Sequence, residues 1–434
     1  MHADFVISRG AYEVVATLQD SGFETYIVGG AIRDLLLERK PKDFDISTSA
    51  TPEEVRHVFG RRKARIIGKR FRLAHVTINN ELFEVSTFRR TPQHNNAPAS
   101  SGHNFHDLPE NMIVSDNSYG SSQEDAFRRD FTVNALFYDP VKHDLIDHTG
   151  RGIEDIEKRI VRAIGDPLLR FEEDPVRMLR ALKLVAQFDF SLDSDTENAL
   201  FASLPLLQHA SSGRLSLELE KILKSSYCDR HFEVFFDYGL LPYFLPELSE
   251  VWGSEPCRQL IELLYERNCR VDAGIYRDSI SLALAASAYP FVIKELDTLS
   301  KDNFNPLSDE VFDIFNRVVS RIFAPQTLMI KVREAAIRIL QMQFLLENSD
   351  IRMLPDLMRR KSYAHGRELL MIRHLAAGEN ITDLEDRFPA GKSPVVSASS
   401  IHRKNRDRKN FKPNKKRNFH RKKGRPESPP DFDE

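Results

Sequence analysis

An α+β fold is what this 434-residue sequence predicts: a small mixed or antiparallel sheet in an N-terminal head, followed by helices. The expectation rests on patterning. Alternating polar and apolar runs are confined to the residues before Gly150, helical apolar spacing dominates from Gly152 to about Ala377, and apolar content collapses after Pro389. These breaks divide the chain into a head at 1–150, a helical neck at 151–225, a helical body at 226–388 and a basic tail at 389–434, predicted to be disordered because it is too polar to bury a core.

Gly10 to Leu18 sets Ala11, Val14, Val15 and Leu18 on one helical face. Tyr26-Ile27-Val28 is a short strand ending at Gly29-Gly30, and Ala31 to Leu37 is a helix opening off that glycine pair. Asp43 to Ser47 alternates as a half-buried strand does. Thr51-Pro52-Glu53-Glu54 combines a capping box with proline at the first helical position, so a helix begins there. Arg70 to Ile78 and Leu82 to Thr87 alternate again, and Asn79-Asn80-Glu81 between them suits a tight hairpin. Residues 92–122, rich in Asn, Ser, His and Gly, read as a long loop, and Ser122 to Thr132 as a helix. Beyond Gly152, turn signals at Gly165-Asp166-Pro167, Ser211-Ser212-Gly213, Leu241-Pro242 and Gly253 to Pro256 separate helices.

Composition excludes several function classes. No apolar run approaches the roughly 18 residues of a membrane span, and Met1-His2-Ala3-Asp4 lacks the basic-then-apolar order of a signal peptide, so the cytoplasm is the expected compartment. Three cysteines, Cys228, Cys257 and Cys269, contain no Cys-x-x-Cys pair and argue against a disulfide framework; they are expected to pack. His94, His103 and His106 have no carboxylate or cysteine at ligand spacing, and no P-loop or dinucleotide-binding glycine pattern is present. The net charge of −2 conceals a tail in which residues 402–425 carry 13 Lys or Arg against one acidic residue, Asp407. So dense a positive run attracts polyanions through counterion release.

Asp43-x-Asp45 carries the chemistry. Residues two apart on a strand share a face, so the two aspartates project together while Phe44 and Ile46 turn to the core. Glu84 lies opposite Phe83 and Val85 on its own strand, where a neighbouring strand would bring it beside the pair. Three oxygen donors without histidine or cysteine suit two Mg²⁺ ions, or Mn²⁺, which bind hard oxygens and keep substrate phosphate in their shell. A lone Asp-x-Asp is otherwise a solvated strand edge. Upstream, Gly29-Gly30 at a helix start exposes backbone N–H groups to a phosphate, and Arg33 stands one turn on as a charged fork.

With Arg128-Arg129-Asp130-Phe131-Thr132-x-Asn134 and Glu173-Asp174-Pro175-Val176-Arg177, these motifs resemble those of the DNA polymerase β nucleotidyltransferase superfamily. The likeness is to its class II branch, which holds CCA-adding enzymes and bacterial poly(A) polymerases, and it runs from about Tyr26 to Leu223. It implies a nucleotidyltransferase head, catalytic Asp43, Asp45 and Glu84, metals on Asp43 and Asp45, and nucleotide contacts at Gly29, Gly30, Arg33, Arg129, Asp130, Asp174, Arg177 and Arg180. Asp130 would accept from a ribose 2′-hydroxyl; the competing reading is an ion pair with Arg128 or Arg129. Asp174 and Arg177, three apart on one predicted helix, would accept from an exocyclic amine and donate to a ring nitrogen, which admits ATP and CTP and refuses GTP and UTP. An ordinary surface ion pair is the alternative. Arg214 and Glu218 resemble the motif that braces that helix. Asp147 and Gly152 resemble a hinge motif, one residue longer than usual. Glu38-Arg39 stands where the family often has glycine, and is expected to alter a surface loop.

Ile66 to Val76, including Lys69 and Arg70, resembles the segment that separates the bacterial poly(A) polymerases, and the basic tail resembles theirs. The expected activity is addition of AMP from ATP to RNA 3′ ends. The alternatives are CCA repair of tRNA and an inactive RNA-binding adaptor; retention of Asp43, Asp45 and Glu84 weighs against the adaptor.

Overall fold

A computed structural model describes residues 2–68, 72–90, 118–297 and 305–390. Lys69 and Arg70, the three loop histidines and the basic tail lie outside the described residues.

The head is built as its patterning dictates. Helix α1 (Arg9–Asp20) is capped by the Ser8 hydroxyl, which accepts from Ala11 N at 3.1 Å, and it buries Ala11, Val14, Val15 and Leu18 completely. Strand β1 (Thr25–Val28) leads into α2 (Gly30–Leu36), then β2 (Asp45–Thr48) and α3 (Pro52–Lys63). The Thr51–Glu54 capping box forms in both directions. Strands β3 (Ala64–Ile67), β4 (Leu73–Ile78) and β5 (Glu81–Thr87) follow; Asn79 and Asn80, at φ 52° and 63°, make the two-residue left-handed turn of the β4–β5 hairpin. After α4 (Ser122–Arg128), strands β6 (Leu136–Asp139) and β7 (Asp144–Asp147) complete a seven-stranded sheet of order β3-β4-β5-β2-β1-β6-β7. Its β2–β5 pair is parallel and the others are antiparallel, so the sheet is mixed.

Alternation along the strands separates two cores. Ile27, Ile46, Val76, Phe83 and Val85 join α1 and α3 on one side, whereas Val28, Phe88 and Phe137 meet Ala126 of α4 on the other. The second side also presents Asp45, Ser47, Glu84 and Ser86, with Ser47 and Ser86 hydroxyls 3.1 Å apart.

The neck comprises α5 (Gly152–Glu157), α6 (Pro167–Glu173), α7 (Val176–Phe188), α8 (Ser194–Ser203) and α9 (Ser212–Lys224). The body continues in helices at Cys228–Asp237, Glu255–Asp272, Ile280–Leu296, Asp309–Arg321, Ile330–Glu347 and Tyr363–Ala376. A buried Arg270–Glu368 ion pair joins two of them. The three cysteines form no disulfide; Cys228 and Cys257 are buried and Cys269 is half-buried.

Four expectations need correction. The strand predicted from Asp43 begins at Asp45. The helix predicted over Ser122–Thr132 stops at Arg128, because Thr132 N bonds Arg162 O, Ile164 N bonds Asp130 O, and Phe131 is drawn into the core. Tertiary pairing there overrides helical propensity. Asp174 and Arg177 do not share a helix: Asp174 ends α6 at φ −150°, as the residue before Pro175 must to avoid the proline ring, and Arg177 belongs to α7. Finally, Glu38-Arg39 does more than alter a loop. Glu38 adopts φ +55°, and Arg39 reaches the neck to donate to Gln187 O at 3.2 Å.

Candidate active site

Register assembles the acidic edge. Ile46 pairs with Val85 in the parallel β2–β5 ladder, so one step back along both strands sets Asp45 beside Glu84. Asp45 also faces Val28, the residue before Gly29-Gly30, across the antiparallel β1–β2 ladder. A carboxylate from each neighbour strand and the glycine turn therefore meet at one end of the sheet, with Asp43 two residues upstream. The Asp45 carboxyl is pushed up to about 6, first by loss of solvent against the protein, then by the negative charges of Asp43 and Glu84; Arg129 pulls the other way. Asp45 still keeps a solvent-facing side, and His75 Nε2 stands 3.6 Å from Glu84 Oε1.

The glycine turn has a support behind it. Gly29 adopts φ +76°, and a Cβ there would lie 3.2 Å from Arg129 Nη1. Arg129 donates to Asp125 Oδ2 at 2.9 Å, Ser47 Oγ at 3.3 Å and Asn134 O at 3.3 Å. Arg33, expected as an open fork, is instead buried. Its guanidinium donates to Asp34 Oδ1 at 2.7 Å and Asn134 Oδ1 at 2.7 Å, and passes under Gly30.

Asn134 then joins this support to the next group by donating to Asp130 Oδ1 at 3.3 Å. Asp130 also accepts from Phe131 N at 2.9 Å and faces Arg180 Nη1 at 3.6 Å. Arg129 pairs with Asp125 at 2.9 Å, within its own helix end.

In the neck, Asp174 Oδ2 accepts from Arg214 Nη2 at 2.8 Å, while Arg177 Nη1 donates to Glu173 Oε2 and Arg170 O, each at 2.8 Å. The brace expected of Arg214 and Glu218 is thus visible: from α9 they hold Asp174 and, at 2.8 Å, Lys183 of α7. Asp147 accepts from Thr149 N, Gly150 N and Ile153 N, which ties its turn down, and a Cβ on Gly152 would come within 2.7 Å of Thr132 O.

Sequence reasoning missed a cationic group beside these residues. Burial, then the proximity of Arg89, Arg177, Arg170 and Arg129, pushes Arg128 down to about 9. Arg170, 7% exposed, donates to both Arg128 O and Arg129 O at 2.6 Å. The arginines were visible in sequence, but their convergence from 89 to 177 was not.

Residues 25–162 match the model of the poly A polymerase head domain, and residues 189–251 that of the probable RNA and SrmB-binding site of polymerase A. Poly(A) polymerase I of Haemophilus influenzae is 36% identical over 385 residues, which are 86% of this chain and 82% of that protein. The chain belongs to the poly(A) polymerase family. A CCA-adding enzyme of Geobacillus sp. is 39% identical over 240 residues, 55% of each protein. The crystal structure of Bacillus stearothermophilus CCA-adding enzyme in complex with CTP matches at a TM-score of 0.59 and 27% identity, covering 88% of this chain and 82% of that one. The poly(A) polymerase family and its CCA-adding relatives are nucleotidyltransferases, and this α+β chain is one by descent.

Proposed function

We propose that the chain transfers AMP from ATP to RNA 3′-hydroxyl ends, releasing pyrophosphate and extending a tail without a template. The extent of sequence likeness carries this reading: identity to a poly(A) polymerase I runs over 385 residues, against 240 for the CCA-adding relative.

The crowded carboxylates fit a divalent cation. Among the described residues no three His, Cys, Asp or Glu side chains converge as a complete cage, and a site of two aspartates completed by phosphate and water is one Mg²⁺ favours, with Mn²⁺ as a substitute. Asp43 and Asp45 would hold two ions, and Glu84 would complete the acidic edge. When bound, such ions supply Lewis-acid neutralisation of phosphate charge and favour ionisation of the attacking hydroxyl.

The remaining work is positioning and charge compensation, which needs no covalent nucleophile. Gly30 receives the triphosphate on its backbone N–H at the start of α2, while Gly29, whose own N–H donates to Leu136 O at 3.1 Å, shapes the turn, with Arg33 as the buried support beneath them. Arg129, the cation acting on Asp45, offsets charge on the departing pyrophosphate. Asp130 accepts from the ribose 2′-hydroxyl, with the Arg180 guanidinium 3.6 Å from its Oδ2. Asp174 and Arg177 read the adenine amine and ring nitrogen; guanine and uracil present the opposite pattern and leave buried groups unpaired. The neck and body beyond residue 189 and the cationic tail take the RNA backbone, and the family match to an RNA-binding region supports this. No helix among the described residues is long and apolar enough to cross a membrane, and the cytoplasm is the proposed compartment.

The likeness to a CTP-bound CCA-adding enzyme favours CCA repair as the second reading. A tRNA lacking its CCA end, incubated with ATP alone, separates the two: a long A-tail supports poly(A) synthesis, whereas strict dependence on prior CTP addition supports CCA repair.

A further inference from the structure

Phe188, the last residue of α7, is 3% exposed and meets two guanidinium groups from the head. Arg33 lies 4.3 Å and Arg39 4.8 Å from its ring centroid. Cations attract the negative face of an aromatic ring, most strongly where water is excluded. Arg33 belongs to the helix that opens at the glycine turn, and its guanidinium lies within 3.3 Å of where a Gly30 Cβ would be. Arg39 also donates to Gln187 O, at the C-terminal end of α7, where a cation is favoured by the free carbonyls and the helix dipole. The other end of α7 begins beside Asp174 and carries Arg177, about 18 Å away along 13 residues. One side chain therefore receives the support of the phosphate turn at one end of the helix that carries a base-reading residue at the other.

We infer that Phe188, clasped by Arg33 and Arg39, is a positioning residue that fixes the spacing between the triphosphate subsite and the base-reading subsite. This inference rests on the nucleotide roles proposed above. Two half-sites held in register bind a ligand that spans both more tightly than either binds its own fragment, because the ordering cost falls once. Loosening the clasp releases that gain without removing any group that touches ATP. The Glu38-Arg39 pair, where the family often has glycine, supplies the outer half of the clasp.

Equilibrium titration of Arg39→Ala, Phe188→Leu and wild type with ATP and with inorganic tripolyphosphate tests this. Arg39 is exposed, so its truncation opens no cavity, and leucine keeps an apolar filling at 188. The expected result is ATP affinity weakened about three- to tenfold in both variants, with tripolyphosphate affinity unchanged. In turnover, KM for ATP rises more than kcat falls, selection against GTP relaxes, and Arg39→Lys recovers part of the loss. ATP affinity equal to wild type in folded Arg39→Ala overturns the inference alone. A wild type that binds no ATP overturns the functional reading and this inference together.

Discussion

Individual side chains divide into those whose neighbours are set by local period and those set by distant segments. Asp45 and Glu84 are of the first kind: each sits on the face its strand alternation dictates, and only the parallel register that joins them was beyond reach of the sequence. Arg33 is of the second, since its partner Asn134 lies 101 residues on; nothing in Gly-Gly-x-x-Arg foretells a buried support in place of an open fork. Substitution tests both. Asp45→Asn keeps the shape and removes the charge, and is expected to lower kcat by at least about 10²-fold in a single-turnover assay, the scale of losing charge stabilisation at a reacting phosphate. Arg214→Ala leaves Asp174 without its ion pair, so KM for ATP is expected to rise roughly tenfold, with GTP incorporation gaining on ATP in competition. If Arg214→Ala keeps both KM and selectivity, the brace has no part in reading the base.

Secondary elements were legible from apolar period at α1, from the capping box and proline at α3, and from alternation around Asn79-Asn80 at the β4–β5 hairpin. Their ends were misread wherever tertiary pairing or a proline intervened, at Arg128 and at Asp174. The α7–α9 packing carries a pH signature. Burial raises the Glu218 carboxyl, but Lys183 and Lys221, each at 2.8 Å, outweigh it and hold Glu218 at about 2. A carboxylate whose folded pKa lies below its unfolded value of 4.5 stabilises the protein fully above that value and loses the contribution as pH falls towards 2. On the order of 3 kcal/mol is at stake. Urea titrations at pH 7 and pH 3 should show wild type losing more stability on acidification than Glu218→Gln; parallel losses would mean that Glu218 does not set the acid sensitivity. At α5, Gly152→Ala drives a methyl against Thr132 O, a backbone atom with little room to yield. Its cost should be about 1–3 kcal/mol, read as a lowered Tm.

Across the whole molecule, the change near residue 150 from a sheet-forming segment to a mainly helical one was legible because the period of the apolar pattern changes there. The packing of neck on head through Phe188 was not, because neither the Arg39 side chain nor the α7 terminus announces its partner. Charge separation at this scale makes a further prediction. Deleting residues 402–425 removes 13 cations and one anion, so binding of unstructured RNA should weaken and its dependence on log salt should flatten by about 0.7 for each phosphate no longer neutralised. AMP transfer at saturating RNA should persist, because the proposed catalytic groups lie before residue 181. Metal-dependent AMP transfer centred on Asp43 and Asp45 can be read out in a gel assay with Mg²⁺, ATP and an unstructured RNA. The wild-type chain should give a long ladder and the Asp43→Ala/Asp45→Ala variant none; no extension by wild type, or equal extension by both proteins, would refute the proposed chemistry.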